Sequence, residues 1–331
     1  MSEVHQHDYA ELLDFAYDLA ERAAKLILDG ATARWKQAED EYEVKKNPVD
    51  LVTETDQAVE EFIKGAIAER YPEHKFIGEE SSEGKAKPVL TDAYTWIVDP
   101  IDGTMNFIHA NPNVGCSIGV THNSRPVVGV IALPFLGRIY SAHEGGGAFM
   151  NRTIPLPLTG GIPQPLTQLS HCMIGAECAS SHGWRDLMKG GSDRRPETID
   201  VKLPNFRRLN GDPNKGISDG VMVHALRTTG ATTINLAHVA AGELDMSWDA
   251  GCWAWDVTAA AIILKEAGAF LQGGKEEFAR DAPIGEVLMC RRYVAVRAVA
   301  PSRTESAEEI QRRLSRELYA VVDEWTTPSM L

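Results

Sequence analysis

Asp99, Pro100, Ile101, Asp102, Gly103 and Thr104 are the residues of this chain best suited by type and spacing to chemistry. The apolar run Trp96-Ile97-Val98 before them reads as a buried strand that delivers Asp99 at its end. Pro100 forces a turn, and Asp102 comes shortly after it, so both carboxylates can converge on one side of that turn. Gly103 and Thr104 offer backbone N–H groups at a helix start, which form a ready cradle for an anion. Two hard carboxylates beside such a cradle suit Mg²⁺, which takes few protein ligands and fills its shell with water and phosphate oxygens. The same residues also read as a plain turn with aspartate caps.

Other acids repeat the pattern. Gly78-Glu79-Glu80-Ser81 follows the β-like Lys75-Phe76-Ile77, so Glu79 stands at another strand end. Asp256 opens a helical pattern, and so does Asp56; each reads equally well as a helix N-cap. One rival motif is present. Gly115-Cys116-Ser117-Ile118-Gly119 matches the spacing of a serine-hydrolase elbow, which needs a strand, a sharp turn and a helix. Here Val114 to Val120 reads as one continuous strand with no helical pattern after Thr121, so Ser117 is expected in mid-strand. No HExxH, zinc-finger, dinucleotide-loop or Walker spacing occurs.

The 331 residues carry 33 Lys and Arg against 47 Asp and Glu, a formal net charge of −14. That balance argues against nucleic acid or an anionic membrane as a partner, since both need a basic footprint. Five cysteines without a CxxC pair read as a reduced, cytoplasmic protein rather than a disulfide scaffold. The polar, acidic N-terminus shows no signal peptide, and no uninterrupted apolar run is long enough for a membrane span.

Several elements must position the acids. Tyr9 through Ile27 keep a helical period, with Gly30 expected just past the end. A second helix opens over Leu51 to Asp56 and stops before Pro72. Lys75–Gly78, Tyr94–Val98, Val114–Thr121, Val127–Leu133 and Ile139–Ala142 read as strands. The Pro/Gly-rich stretch 159–165 is the expected domain boundary, dividing residues 1–160, an α+β part with the main metal motifs, from 161–331, an α/β part with Asp256 and the substrate contacts. Residues 181–220 read as loop with room for one short helix. Helices are expected from about Ala231 to Ala241 and from Asp256 to Ala267, closed by Gly242 and Gly268. Strand material follows over Val287–Val299, then a last helix behind the capping box of Ser306 and Glu309, with Trp325 on its apolar side.

Taken in order, these segments resemble the inositol monophosphatase family of Mg²⁺-dependent, Li⁺-inhibited phosphatases. Four elements carry the resemblance: Lys45 through Asp50-Leu51-Val52-Thr53-Glu54-Thr55-Asp56; Gly78 to Ser81; Asp99-Pro100-Ile101-Asp102-Gly103-Thr104-Met105-Asn106-Phe107; and Trp255-Asp256 through Glu266-Ala267-Gly268. The resemblance implies a layered α/β/α/β/α sandwich, as in the related fructose-1,6-bisphosphatase fold, with two to three Mg²⁺ ions per site. It implies Glu79, Asp99 and the Ile101 carbonyl as ligands of one ion, and Asp99, Asp102 and Asp256 as ligands of a second. A third, weaker ion would rest on Glu79, with Lys45 nearby. Thr104 with Asp56 would orient the attacking water, and Gly103 and Thr104 would hold the phosphate.

The implied activity is phosphoric monoester hydrolysis, on inositol monophosphate or a similar phosphorylated polyol. Substrate contacts fall at Asp102, Asp256, Gly230, Ala231, Thr232 and Asp249. Two departures stand out. The family commonly has Gly-Thr-Ala where this chain has Gly230-Ala231-Thr232, so the hydroxyl is displaced by one residue. It often has Glu where Asp249 stands, so the charge stays and the reach shortens. Met105-Asn106 favours the inositol branch over the nucleotide 3′-phosphatases. Fungal quinate-pathway relatives share the signature set, and the long 181–220 segment is compatible with them. Members usually form homodimers, which the resemblance extends to this chain.

Overall fold

A computed structural model describes residues 8–37, 54–82, 89–177 and 198–324. Lys45, the upstream motif as far as Thr53, residues 178–197 and Trp325 lie outside the described residues.

Two sheets organise the chain. The first has seven strands in sequential order: β1 (Lys75–Gly78), β2 (Thr95–Asp102), β3 (Gly115–His122), β4 (Arg125–Leu133), β5 (Arg138–His143), β6 (Gly147–Met150) and β7 (Ile154–Pro155). β1 and β2 pair parallel, and the rest form an antiparallel meander. The second sheet contains β8 (Met173–Gly175), β9 (Ala225–Arg227), β10 (Met246–Ala250), β11 (Phe270–Gln272) and β12 (Arg292–Val296), in the order β11-β12-β10-β8-β9. The helices are α1 (Tyr9–Gln37), α2 (Glu54–Arg70), α3 (Glu79–Ser82), α4 (Thr104–Ile108), α5 (Thr198–Asn210), α6 (Thr232–Ala241), α7 (Ala254–Glu266), α8 (Lys275–Ala279), α9 (Ile284–Met289) and α10 (Ala307–Val321).

Three apolar clusters make this a five-layer sandwich. Leu12, Leu19 and Ile27 of α1 and Val59, Ile63 and Ile67 of α2 pack on Trp96, Val98, Ile118 and Val130 of the first sheet. Its other face, with Ile131, Leu133 and Tyr140, packs on Ile234 and Val239 of α6 and Val257 and Ile263 of α7, which also meet Tyr293 and Ala295 of the second sheet. Trp248 and Val294 then face Leu314 and Leu318 of α10. The order is α/β/α/β/α. Coverage on both faces explains why β3 and β4 are buried almost without alternation.

Helix α7 lies directly on the first sheet. A Cβ at Gly119 would come within 2.6 Å of the Thr258 methyl, and one at Gly129 within 2.3 Å of the Ala259 carbonyl oxygen. Two glycines in neighbouring strands thus admit the helix that carries Asp256. Ser117 is fully buried in mid-strand and donates its hydroxyl to the Trp255 carbonyl at 2.8 Å, so it is a sheet-to-helix tie.

Several boundaries differ from the sequence reading. Helix α1 continues through Gly30 to Gln37; that glycine lets Thr55 approach, since a Cβ there would sit 2.6 Å from the Thr55 side chain. Helix α7 begins at Ala254, with Trp253 as its N-cap. Val287–Val299 is helix α9 running into strand β12, because Pro283 initiates a short helix ahead of the strand. Residues 198–210 form helix α5 in the stretch read mainly as loop. The Ser306–Glu309 capping box is present: Glu309 N–H donates to the Ser306 hydroxyl, and Ser306 N–H to the Glu309 carboxylate at 2.7 Å.

Candidate metal-binding site

Pro100 does not turn the chain. Strand β2 runs on through Asp102, and a β-bulge does the work expected of the turn. Asp99 is opposite Ser117 and Asp102 is opposite Gly115, so β2 carries one more residue than β3 across this interval. In a regular strand, residues three apart point to opposite faces. The inserted residue removes that alternation, which brings Asp99 and Asp102 to one side.

Asp256 arrives from the second half of the chain. Its carboxylate accepts the Trp253 N–H at 2.6 Å, the return half of the capping interaction at the start of α7. It serves as a cap and remains part of the acidic group. One oxygen each from Asp99, Asp102 and Asp256 lie within 4.8 Å of one another. Asp99 is 1% exposed and Asp256 7% exposed.

The electrostatics of this group are unfavourable without a cation. Burial, then the charges of Glu79, Asp102 and Asp256, pushes Asp99 well above the usual carboxylate range. Burial and the Asp256 charge push Asp102 up to about 8, against hydrogen bonds from Thr233. Burial pushes Asp256 up to about 6, against the Trp253 amide. Three clustered oxygens of like charge and hard character fit a divalent cation such as Mg²⁺ or Mn²⁺.

Glu79 is the first residue of α3, half-buried and near enough for its charge to act on Asp99; it stands outside the three-residue group. Its helix is held by Glu60, which the sequence reading passed over. The buried Glu60 carboxylate accepts the N–H groups of Glu80 and Ser81, both at 2.9 Å. The Ile101 N–H donates to Asp99 at 3.0 Å, and the Thr104 hydroxyl donates to the Ile101 carbonyl at 3.3 Å. Thr104 opens α4 behind Gly103, whose φ of 88° is left-handed. The first amides of any helix lack an intrahelical acceptor, so those that open α4 keep donor capacity. Asp56 is buried in the first turn of α2. Burial, and secondarily the Asp56 charge, pushes the Cys116 thiol up to about 12, which places Asp56 beside β3.

On the other wall, Thr232 begins α6 and its hydroxyl donates to Asp249 at 3.0 Å. The two departures noted in the sequence therefore touch each other. Trp253 stacks on Trp255 with ring centroids 5.0 Å apart, and the Arg291 guanidinium lies 3.6 Å from its ring centroid. Arg291 also donates to the carbonyls of Gly251 and Cys252, tying down the loop between Asp249 and Asp256. Neither Glu177 nor Asn106 was singled out for this role in the sequence, yet both grip the loop before α6. Asn106 donates to the Thr229 carbonyl at 2.7 Å, and Glu177 accepts the Thr229 and Gly230 amides at 2.9 and 3.1 Å. Glu177 lies two residues past the end of β8, the same strand-end signal that marked Asp99 and Glu79.

Two sheets separated by helices, with a tri-aspartate cluster drawn from β2 and α7, define a layered α/β protein with a divalent-cation type of site. The profile of the inositol monophosphatase family matches residues 8–318. The chain belongs to that family. It is 39% identical over 322 residues to Protein qutG of Emericella nidulans, covering 96% of this chain and 94% of the relative. It is 37% identical to the Quinic acid degradation cluster protein x of Neurospora crassa, with 93% of each covered. It is 36% identical to human Inositol monophosphatase 1, with 80% of this chain and 83% of the relative covered. Among solved structures, the inositol monophosphatase from Anabaena superposes with a TM-score of 0.66 at 25% identity, covering 94% of this chain and 96% of that one. Among the described residues, no helix is long and apolar enough to cross a membrane.

Proposed function

We propose that this chain is a Mg²⁺-dependent phosphomonoesterase that hydrolyses a small phosphorylated polyol, inositol monophosphate in the first instance, by direct attack of water. The observation that carries the reading is the convergence of Asp99, Asp102 and Asp256 within 4.8 Å in a buried setting that raises all three pKa values. These side chains would hold the metal, with Glu79 and the Ile101 carbonyl completing the set and Lys45 beside a third, weaker ion. Bound there, Mg²⁺ supplies Lewis-acid stabilisation of phosphoryl charge and makes water a better nucleophile near neutral pH.

The chain's own groups do the positioning. Thr104, with Asp56 behind it, orients the attacking water. The Gly103 and Thr104 amides hold phosphate oxygens where negative charge develops. Gly230, Ala231, Thr232 and Asp249 form the wall that meets the alcohol half of the substrate. Asp102 and Asp256 lie between the two. Homodimerisation and lithium inhibition follow from family membership as part of the same proposal.

A second reading is favoured by a specific observation. Protein qutG and the Quinic acid degradation cluster protein x match over 93–96% of this chain, against 80% and 88% for the human and rat Inositol monophosphatase 1. A role linked to quinate metabolism is the alternative biological setting for the same site.

The test is phosphate release with and without Mg²⁺ on inositol 1-phosphate, galactose 1-phosphate and nucleotide 3′-phosphates. Mg²⁺-dependent turnover of the first, inhibited by millimolar Li⁺, supports the proposal. Silence across the whole panel would favour a regulatory relative that has lost activity.

A further inference from the structure

Glu177 has no place among the metal ligands, yet it is buried and surrounded by donors. Its carboxylate accepts the backbone N–H of Thr229 at 2.9 Å and that of Gly230 at 3.1 Å. It also accepts the Asn235 amide at 2.8 Å, and the Thr229 hydroxyl lies 3.4 Å away. These neighbours are donors, which an acceptor-only carboxylate can satisfy and an amide cannot.

The gripped segment is also held from the opposite half of the chain. Asn106, in α4 beside the metal loop, donates to the Thr229 carbonyl at 2.7 Å. The Thr229 C=O and the Gly230 N–H belong to one peptide plane, so Asn106 and Glu177 hold its two ends. Gly230 is left-handed, with φ 80°, and a Cβ there would come 2.8 Å from the Asn106 amide nitrogen. Beyond this plane come Ala231 and Thr232, and the Thr232 hydroxyl donates to Asp249.

We propose that Glu177 is a positioning residue that sets the enzyme's selectivity for the alcohol half of its substrate, by fixing the Thr229–Gly230 peptide and with it the Thr232–Asp249 pair. The proposal rests on the phosphatase reading given above. Helix α6 keeps its own apolar seat through the buried Ile234, Leu236 and Val239, so losing the Glu177 clamp should act first on the Thr229–Gly230 loop.

The experiment compares the wild type with Glu177→Gln and Glu177→Asp. Steady-state kinetics are measured on inositol 1-phosphate and on p-nitrophenyl phosphate, whose leaving group offers no hydroxyls to the wall. Glu177→Gln should raise KM for inositol 1-phosphate about tenfold or more, with kcat within about threefold. Turnover of p-nitrophenyl phosphate and the Mg²⁺ concentration for half-activation should stay near wild type. Glu177→Asp, which keeps the acceptors but shortens the reach, should fall between. An unchanged KM for inositol 1-phosphate overturns the proposal; so does an equal loss on both substrates with weakened Mg²⁺ activation. A wild type inactive on both substrates refutes the phosphatase reading instead. If Glu177→Gln does not fold, Thr229→Val removes only the enclosed hydroxyl and should raise KM about threefold; no change there also overturns the proposal.

Discussion

The backbone N–H of Thr233 donates to the Asp102 carboxylate at 2.7 Å, although the two residues are 131 positions apart in sequence. This bond joins the first turn of α6 to the bulged end of β2. The positive end of a helix dipole thereby meets a carboxylate that also faces two others. The amide lowers the Asp102 pKa, but burial and Asp256 outweigh it. One helix terminus is therefore not enough to neutralise the cluster, which leaves the remainder to protons or to a bound cation.

Replacing Asp99 by Asn should abolish Mg²⁺-dependent phosphate release, by about a thousandfold or more, because both proposed ion sites share this side chain. The same substitution should stabilise the metal-free protein at pH 8, since it removes a buried carboxyl whose charged form is disfavoured beside two others. A gain of about 2 °C or more in melting temperature without metal is expected, of the size that about 1 kcal/mol produces in a larger domain. Retained activity would remove Asp99 from the metal site.

Stability should depend on pH and on Mg²⁺ together. Asp99, Asp102 and Asp256 all have folded-state pKa values above their unfolded ones near 4. Between those values the folded protein holds protons that the unfolded chain has released, so the metal-free stability falls as pH rises from about 4 through about 8. Mg²⁺ should raise the melting temperature more at pH 8 than at pH 5. At pH 7 its binding should also release protons from the cluster, detectable by calorimetry in buffers of different ionisation enthalpy. A melting temperature that ignores both pH and Mg²⁺ would contradict the cluster's assignment.

Much of this site was legible in the sequence, and the reasons are local. Glu79 and Asp256 each sit where a helix begins, and Asp99 directly follows the apolar run of β2; backbone pattern reveals such places. The bulge at Pro100–Ile101 looks like a turn in the sequence, because only the pairing partner, β3, shows that one residue is extra. Glu60 and Glu177 were passed over because their work is to accept amides from elsewhere in the chain, 20 to 53 residues away, and no local period records that. The layer order came from family resemblance; the physical reason for it, two apolar faces on each of β3 and β4, is only half visible as their unbroken hydrophobicity.

Thr232 and Asp249 should behave as a coupled pair. Their hydrogen bond spans 3.0 Å, and Asp249 also accepts the Ala250 N–H at 2.8 Å. Asp249→Glu alone pushes a longer acid into the Thr232 hydroxyl and should raise KM for the polyol phosphate. Adding Thr232→Ala should relieve that crowding and recover part of the loss. A double-mutant cycle on kcat/KM should give a coupling of about 0.5–3 kcal/mol, as for residues in direct contact. Additive effects would mean that the two departures from the family pattern arose without reference to each other.

Gly103 tests whether backbone placement matters as much as the ligands. Its φ of 88° lies where a side chain is strained, and a Cβ would approach the Asn113 carbonyl oxygen to 2.8 Å. Gly103→Ala should therefore cost about 1–3 kcal/mol of stability, read from denaturant unfolding. The strain is expected to shift α4, moving Thr104 off the Ile101 carbonyl and Asn106 off Thr229. Activity should then fall with both substrates, even though Asp99, Asp102 and Asp256 are all intact. If Gly103→Ala were as active as the wild type, the amides at this helix start would have no part in holding phosphate, and the side chains alone would carry the site.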